Sequence, residues 1–104
     1  MFKVLLVDDE PFILQGLKVL IDWDDYGFEV YTAQDGKTAY DMMSEQDYDL
    51  VIADIKMPVM DGIQLLKKIR EDGNDVSFVI LSGFAEFSYA QEALKHKCLS
   101  LIHI

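Results

Sequence analysis

The sequence is poor in cysteine, in basic residues and in long apolar runs, and each shortage excludes a class of protein. One cysteine, Cys98, among 104 residues can form neither an internal disulfide nor a cysteine metal cage, which is typical of a reducing cytoplasm. Nine basic residues against 19 acidic ones give a net charge of −10, so this segment by itself is a poor binder of nucleic acid. No run is apolar for long enough to span a membrane. No signal peptide precedes the first predicted strand.

The chain nevertheless has enough apolar sequence to build a core. Hydrophobic residues make up 51% of the sequence, which argues against disorder. The length suits one domain. We therefore expect a single domain over residues 1–104.

Short apolar runs alternate with segments of helical periodicity along the chain. The predicted strands cover residues 4–7, 28–32, 50–53, 76–81 and 98–104. The predicted helices cover residues 11–21, 38–45, 62–70 and 86–97. The third strand is interpreted as buried on both faces, and the second as nearer a sheet edge because Glu29 interrupts its apolar residues. Alternation of this kind predicts an α/β fold, a parallel sheet with helices on both faces.

Oxygen-bearing side chains follow three of these predicted strands. Asp8, Asp9 and Glu10 come after the first, Asp54 after the third and Ser82 after the fourth. Sites in open parallel sheets form beyond the carboxyl ends of the strands. If the first and third strands are neighbours, their carboxylates converge and need a hard cation such as Mg²⁺ for compensation. A carboxylate beside Mg²⁺ can act as a nucleophile on phosphorus, and the Ser82 hydroxyl could bind a phosphoryl oxygen.

Each of these residues also has a plainer interpretation. The three acids could only cap a helix, which we favour for Glu10. Considered alone, Asp54 is best explained as a turn residue. The pattern around Ser82 favours a turn residue and a site residue equally. We interpret the following residues as structural rather than functional: Asp35, Asp49, Asp61, His96, His103, Trp23, Tyr26 and Phe28.

Four segments resemble the receiver domain of bacterial two-component response regulators. They read VLLVDDEP (residues 4–11), DIKMPVMDG (54–62), VILSG (79–83) and AQEALK (90–95). The second segment is highly specific, and the resemblance runs from residue 3 to about residue 97. A weaker likeness, IDWDDYGFEV over residues 21–30, is to regulators whose receiver precedes an AraC-like DNA-binding domain.

The resemblance implies a fold and a set of roles. The fold would be flavodoxin-like (CheY-like), with strand order 2-1-3-4-5. Asp54 would accept a phosphoryl group from a sensor histidine kinase. Asp9 would bind Mg²⁺ directly and Asp8 through water, and Asp54 and the backbone carbonyl of Lys56 would also be metal ligands. Ser82 would be the hydroxyl that switches toward the phosphoryl group.

The tail departs from the family pattern. An ungapped count puts Ile104 where the family has a lysine and Leu101 where it has an aromatic residue, and His96 follows Lys95 in place of a small turn residue. The fifth helix of the family is missing, so we interpret the chain as a receiver that is incomplete or altered after about residue 96. An uncovered apolar face on the first and fifth strands predicts self-association.

Three other functions compete with that of a phospho-acceptor. An interaction module would keep the fold without switching, because the lysine and fifth helix are absent. A Mg²⁺-dependent phosphatase of the haloacid dehalogenase type would need Asp-x-Asp after the first strand, which Asp8-Asp9-Glu10 lacks. A flavodoxin relative would need a phosphate loop after Val7. We therefore expect a cytoplasmic signalling domain that is not an enzyme.

Overall fold

A computed structural model describes residues 1–82 and 100–103 of the chain, with Ser82 and residues 100–103 described by their backbone only. The strands are β1 (Phe2–Val7), β2 (Phe28–Ala33), β3 (Leu50–Asp54), β4 (Ser77–Ser82) and β5 (Ser100–His103). The helices are α1 (Pro11–Leu20), α2 (Gly36–Glu45) and α3 (Gly62–Glu71), with one 3₁₀ turn, Trp23–Tyr26, before β2. The predicted helix over residues 86–97 lies outside the described residues.

The five strands form one parallel sheet in the order β2-β1-β3-β4-β5. This confirms the predicted flavodoxin-like fold and its strand order. β2 lies at an edge of the sheet, as its interrupted apolar pattern predicts. None of the helices in the described ranges is both long and apolar enough to cross a bilayer.

One face of the sheet packs against α2 and α3 and forms the main core. Alternate residues of each strand point to this face because side chains in a strand alternate with a period of two. The α3 residues Leu65, Leu66 and Ile69 are buried against it. The buried strand residues on this face are Leu5, Val7, Ala33, Val51, Ala53, Phe78 and Ile80.

The opposite face carries a smaller cluster built around Leu14 of α1 and Trp23. Val4 and Leu6 of β1 are fully buried in it, so the prediction that one face of the first strand is uncovered is wrong, because Leu14 and Trp23 pack there. Leu50 and Ile52 of β3 are only partly buried at its margin. The prediction that β3 is buried on both faces is therefore confirmed for the main core, where Val51 and Ala53 are buried, and only in part for this face.

The aromatic residues before β2 differ in their burial. Trp23 is buried, donates its indole N–H to the Leu17 carbonyl at 3.0 Å, and meets Phe28 edge to face. Both therefore cover the core as predicted. Tyr26 does not, since it is 72% exposed at the end of the 3₁₀ turn. Gly27 follows it with φ +80°, a conformation that glycine adopts without strain.

Candidate functional site

The topology brings the carboxyl ends of β1 and β3 side by side. Val7 pairs with Ala53 in the parallel register, so Asp8 and Asp54 each come one residue after a paired position. The backbone N–H of Asp8 donates to the Ala33 carbonyl at 3.1 Å, which ties the residue to the end of β2 as well. The first and third strands are thus neighbours, the condition under which the sequence predicts a cluster.

Three carboxylates meet at this edge of the sheet. One oxygen each from Asp8, Asp9 and Asp54 lie within 4.8 Å of one another. Asp8 is buried, Asp9 is exposed and Asp54 is half-buried, so the cluster opens to solvent on one side. Oxygen ligands at this spacing suit a hard divalent cation, and the donor set is therefore compatible with Mg²⁺.

Asp8 is the only residue with a charged side chain that is buried among the described residues, at 4% exposure. Burial raises the pKa of its carboxyl from the usual 3.8 to about 6. The hydrogen bond that the carboxylate accepts from the Glu10 N–H, at 2.9 Å, lowers this pKa, whereas repulsion from Asp54 and Asp9 raises it further. A carboxyl held in this way is destabilised when ionised and gains from a nearby cation.

The interpretation of these acids as helix caps is confirmed only for the position of Glu10. Glu10 is at the N-cap of α1, but its side chain accepts no hydrogen bond from the helix. Short side chains such as Asp or Ser are better suited to reach the first helix N–H groups. Asp8 accepts the Glu10 N–H, which precedes the helix, so its carboxylate organises the turn after β1 rather than the helix end.

Asp54 is held by the start of α3. Its Oδ1 accepts the backbone N–H of Ile55 at 2.8 Å, which fixes the rotation of the carboxylate. A Cβ atom on Gly62 would lie 2.3 Å from the Asp54 carbonyl oxygen, so only glycine allows α3 to approach this closely. The Gly62 N–H donates to the Ile55 carbonyl at 2.9 Å. Asp54 is therefore packed against the first turn of a helix.

Lys56 lies in the loop between β3 and α3, residues 55–61. Its neighbours Ile55 and Met57 are buried in the main core, whereas the Lys56 side chain is exposed. The two anchors fix the backbone on either side of Lys56. The assignment of its carbonyl as a metal ligand stays a prediction.

The acids interpreted as structural have structural partners. Asp61 caps α3 in a reciprocal pair with Gln64, each side chain accepting the other's backbone N–H at 2.8 and 3.0 Å. Asp35 caps α2 through the Thr38 N–H, and Asp49 accepts the Lys3 N–H at 2.7 Å. These three residues belong to the scaffold.

Ser82 ends β4 at the same edge of the sheet. Leu81 pairs with Asp54, so the Ser82 backbone lies one position beyond the residue that faces Asp54. Its hydroxyl lies outside the described atoms, as do His96 and Ile104, and its role stays a prediction. The predicted last strand is confirmed as β5, where Leu101 pairs with Ile80 and His103 with Ser82.

Sequence reasoning missed two residues that shape this site. Gly36, at the start of α2, approaches the Met60 backbone so closely that a Cβ atom would lie 2.2 Å from its carbonyl oxygen. Val59 has φ +67°, which is rare for a β-branched residue. Gly36 precedes a helical segment in the sequence, but a glycine at such a place is equally typical of an ordinary turn. The sequence therefore does not predict its contact with Met60.

Comparison with known proteins now places the chain. The family model described as "Response regulator receiver domain" matches residues 4–103. The chain belongs to this family, whose members are the phospho-acceptor domains of two-component signalling.

Relatives agree with this placement. The uncharacterized transcriptional regulatory protein YesN of Bacillus subtilis is 44% identical over 97 residues, covering 92% of this chain and 26% of YesN. The receiver domain of AraT, a response regulator from Geobacillus stearothermophilus, superposes with TM-score 0.89 at 36% identity, covering 98% of this chain and 80% of that one. Response regulator TrrA of Thermotoga maritima, solved with Mg²⁺ and BeF, superposes with TM-score 0.82 at 29% identity. The match covers 100% of this chain and 87% of the TrrA chain. The chain thus spans about a quarter of the length of YesN.

Proposed function

We propose that Asp54 accepts a phosphoryl group from the phosphohistidine of a sensor histidine kinase. The observation that carries this proposal is the convergence of the Asp8, Asp9 and Asp54 carboxylates within 4.8 Å at one edge of the sheet. Asp54 is the member that ends a strand and packs against a helix start. It is also half-buried, so a donor can reach it from solvent.

The donor set fits Mg²⁺. Asp9 would bind the ion directly and Asp8 through water, and Asp54 and the Lys56 carbonyl would complete the protein ligands. Bound there, Mg²⁺ would offset the charge of the carboxylates and of the phosphoryl oxygens. The TrrA relative was solved with Mg²⁺ and BeF, which supports the same ion here.

The chain's own groups would perform the transfer. An Asp54 carboxylate oxygen attacks phosphorus and forms a P–O bond while the P–N bond of the phosphohistidine breaks. The imidazole nitrogen keeps the electron pair of that bond and takes up a proton. The Ile55 N–H, 2.8 Å from Asp54 Oδ1, holds the carboxylate in one rotation. The Ser82 hydroxyl would then bind a phosphoryl oxygen and act as the switch.

The partners follow from this role. A histidine kinase donates the phosphoryl group in the cytoplasm, and the domain itself turns over no external phosphate ester. YesN is named a transcriptional regulatory protein, so we propose that the output is transcriptional and is exerted by sequence outside this domain.

We also propose that this chain self-associates through the less covered face of the sheet, where Leu50 and Ile52 are partly exposed. Phe2, at 59% exposure, lies at the end of the adjacent strand β1. Apolar surface left in contact with water favours association. Light scattering at several concentrations tests this, and a monodisperse monomer would contradict it.

The acceptor role is tested by intact mass after incubation with acetyl phosphate and Mg²⁺. The parent should gain one phosphoryl group, and Asp54→Asn should gain none. Asp41→Asn is the matched control, because Asp41 is an exposed carboxylate paired with Lys37 on α2. Absence of any gain in a folded parent that binds Mg²⁺ would favour the interaction module that does not switch.

A further inference from the structure

The loop between β3 and α3 contains a γ-turn centred on Val59. The Met60 N–H donates to the Pro58 carbonyl at 2.8 Å, and Val59 between them has φ +67°. A γ-turn with positive φ is rare and strained, the more so for a β-branched residue. Val59 is 89% exposed, so burial of its side chain does not maintain this conformation.

The contact that confines the turn comes from α2. A Cβ atom on Gly36 would lie 2.2 Å from the Met60 carbonyl oxygen and 3.0 Å from the Met60 carbonyl carbon. Gly36 does not need glycine for its own backbone, since its φ lies outside the left-handed region. The requirement for glycine at this position is therefore the approach of the Met60 backbone.

The other end of the loop is fixed in the same manner. Gly62 lets α3 pack against the Asp54 carbonyl, where a Cβ atom would lie 2.3 Å away. Between the two glycine contacts, Ile55 and Met57 are buried in the core. Lys56, whose carbonyl is assigned to the metal under the proposed function, thus lies in a loop confined by the starts of two helices.

We propose that Gly36 is a positioning residue for the metal site: it sets how far the β3–α3 loop extends over α2, and so where the Lys56 carbonyl lies beside Asp54. This inference rests on the proposed function. Gly36 touches neither the metal nor the phosphoryl group, and acts through the Met60 backbone. A larger residue would push Met60 outward and displace the loop from the acidic cluster.

The test compares Gly36→Ala with Gly16→Ala. Gly16 lies within helix α1, and a Cβ atom there would meet nothing within 4 Å, so it is a matched control. Mg²⁺ affinity is measured by calorimetry and the rate of phosphorylation by acetyl phosphate. Gly36→Ala should weaken Mg²⁺ binding by about tenfold or more, as loss of outer-shell support does, whereas Gly16→Ala should bind as the parent does.

A merely structural role would give a different result. Gly36→Ala would then lower the thermal midpoint while leaving the Mg²⁺ dissociation constant of the folded protein unchanged, and that outcome overturns the inference.

Coupling between Gly36 and Val59 provides a second readout. Adding Val59→Gly to Gly36→Ala lets the loop adjust, so the double variant should bind Mg²⁺ no more weakly than Gly36→Ala alone. Effects that multiply independently would contradict the proposal.

Two further outcomes have defined meanings. If Gly36→Ala does not fold, the double variant Gly36→Ala/Val59→Gly is compared with Val59→Gly, because glycine at position 59 removes the strain of the positive φ. The double variant should bind Mg²⁺ more weakly than Val59→Gly, and equal binding by the two overturns the inference. If the parent binds no Mg²⁺ and gains no phosphoryl group, the proposed function fails and this inference fails with it. A working parent with an unaffected Gly36→Ala variant overturns the inference alone.

Discussion

Replacing Asp8 by asparagine should stabilise the metal-free protein and abolish its stabilisation by Mg²⁺. The carboxyl is 4% exposed, and its pKa is raised from 3.8 to about 6 chiefly by burial. Ionised Asp8 therefore costs the folded state free energy at neutral pH. Asparagine is neutral and keeps an Oδ1 that can accept the Glu10 N–H, so the turn after β1 is preserved.

The magnitude follows from the two pKa values. A change from 3.8 to about 6 corresponds to about 3 kcal/mol at most. Because the cluster opens to solvent, screening reduces this to about 1–2 kcal/mol. A raised acid pKa means that the folded state binds the proton more tightly than the unfolded state. This carboxyl therefore lowers stability as pH rises from about 4 to 6, and its effect is constant above that window.

The assay is urea unfolding of the parent and Asp8→Asn in EDTA at pH 7.5 and pH 5. Asp8→Asn should be more stable by about 1–2 kcal/mol at pH 7.5, and the difference should fall to about half at pH 5. Saturating Mg²⁺ should stabilise the parent by about 2.7 kcal/mol at a hundred times its dissociation constant, but not the variant. Asp41→Asn serves as the control. An Asp8→Asn variant less stable than the parent in EDTA at pH 7.5 would refute the reasoning.

Three other substitutions test the scaffold of the site by denaturant unfolding. Asp61→Ala removes the reciprocal cap of α3 and should cost about 1 kcal/mol; no change would mean that the cap contributes nothing. Gly62→Ala places a Cβ atom 2.3 Å from the Asp54 carbonyl and should destabilise by about 1–3 kcal/mol, unlike Gly16→Ala, which should be neutral or stabilising. Phe78→Ala empties a fully buried position in the main core and should cost about 3–5 kcal/mol, so a loss below 1 kcal/mol would contradict close packing there.

Local patterns were enough to predict most of the fold. The apolar run ending at Val7 and the one ending at Ala53 predict strands, and the spacing of Leu14 and Leu17 predicts a helix, because each pattern reflects burial of one face. If the first and third strands are neighbours, the carboxylates that follow them must lie close together. The adjacency itself came from family resemblance.

Several features lay beyond local pattern. Tyr26 is exposed and Trp23 is buried, although both are aromatic residues in one short segment. Leu50 and Ile52 are only partly buried, although they belong to the same short apolar run as the fully buried Val51. Exposure is set by neighbours distant in sequence, so a residue's own type and spacing do not determine it.

The sequence by itself determined the parallel α/β architecture and the acids at the carboxyl edge of the sheet. Strands and helices each bury one face, so their periods and their ends are visible in the local order of apolar and polar residues. Only the tertiary structure decided that Asp8 is buried with a pKa of about 6, and that Gly36 and Met60, 24 positions apart, meet backbone to backbone. Burial of a charge and contact between backbones both arise when separate elements pack together. Neither has a local signature in the chain.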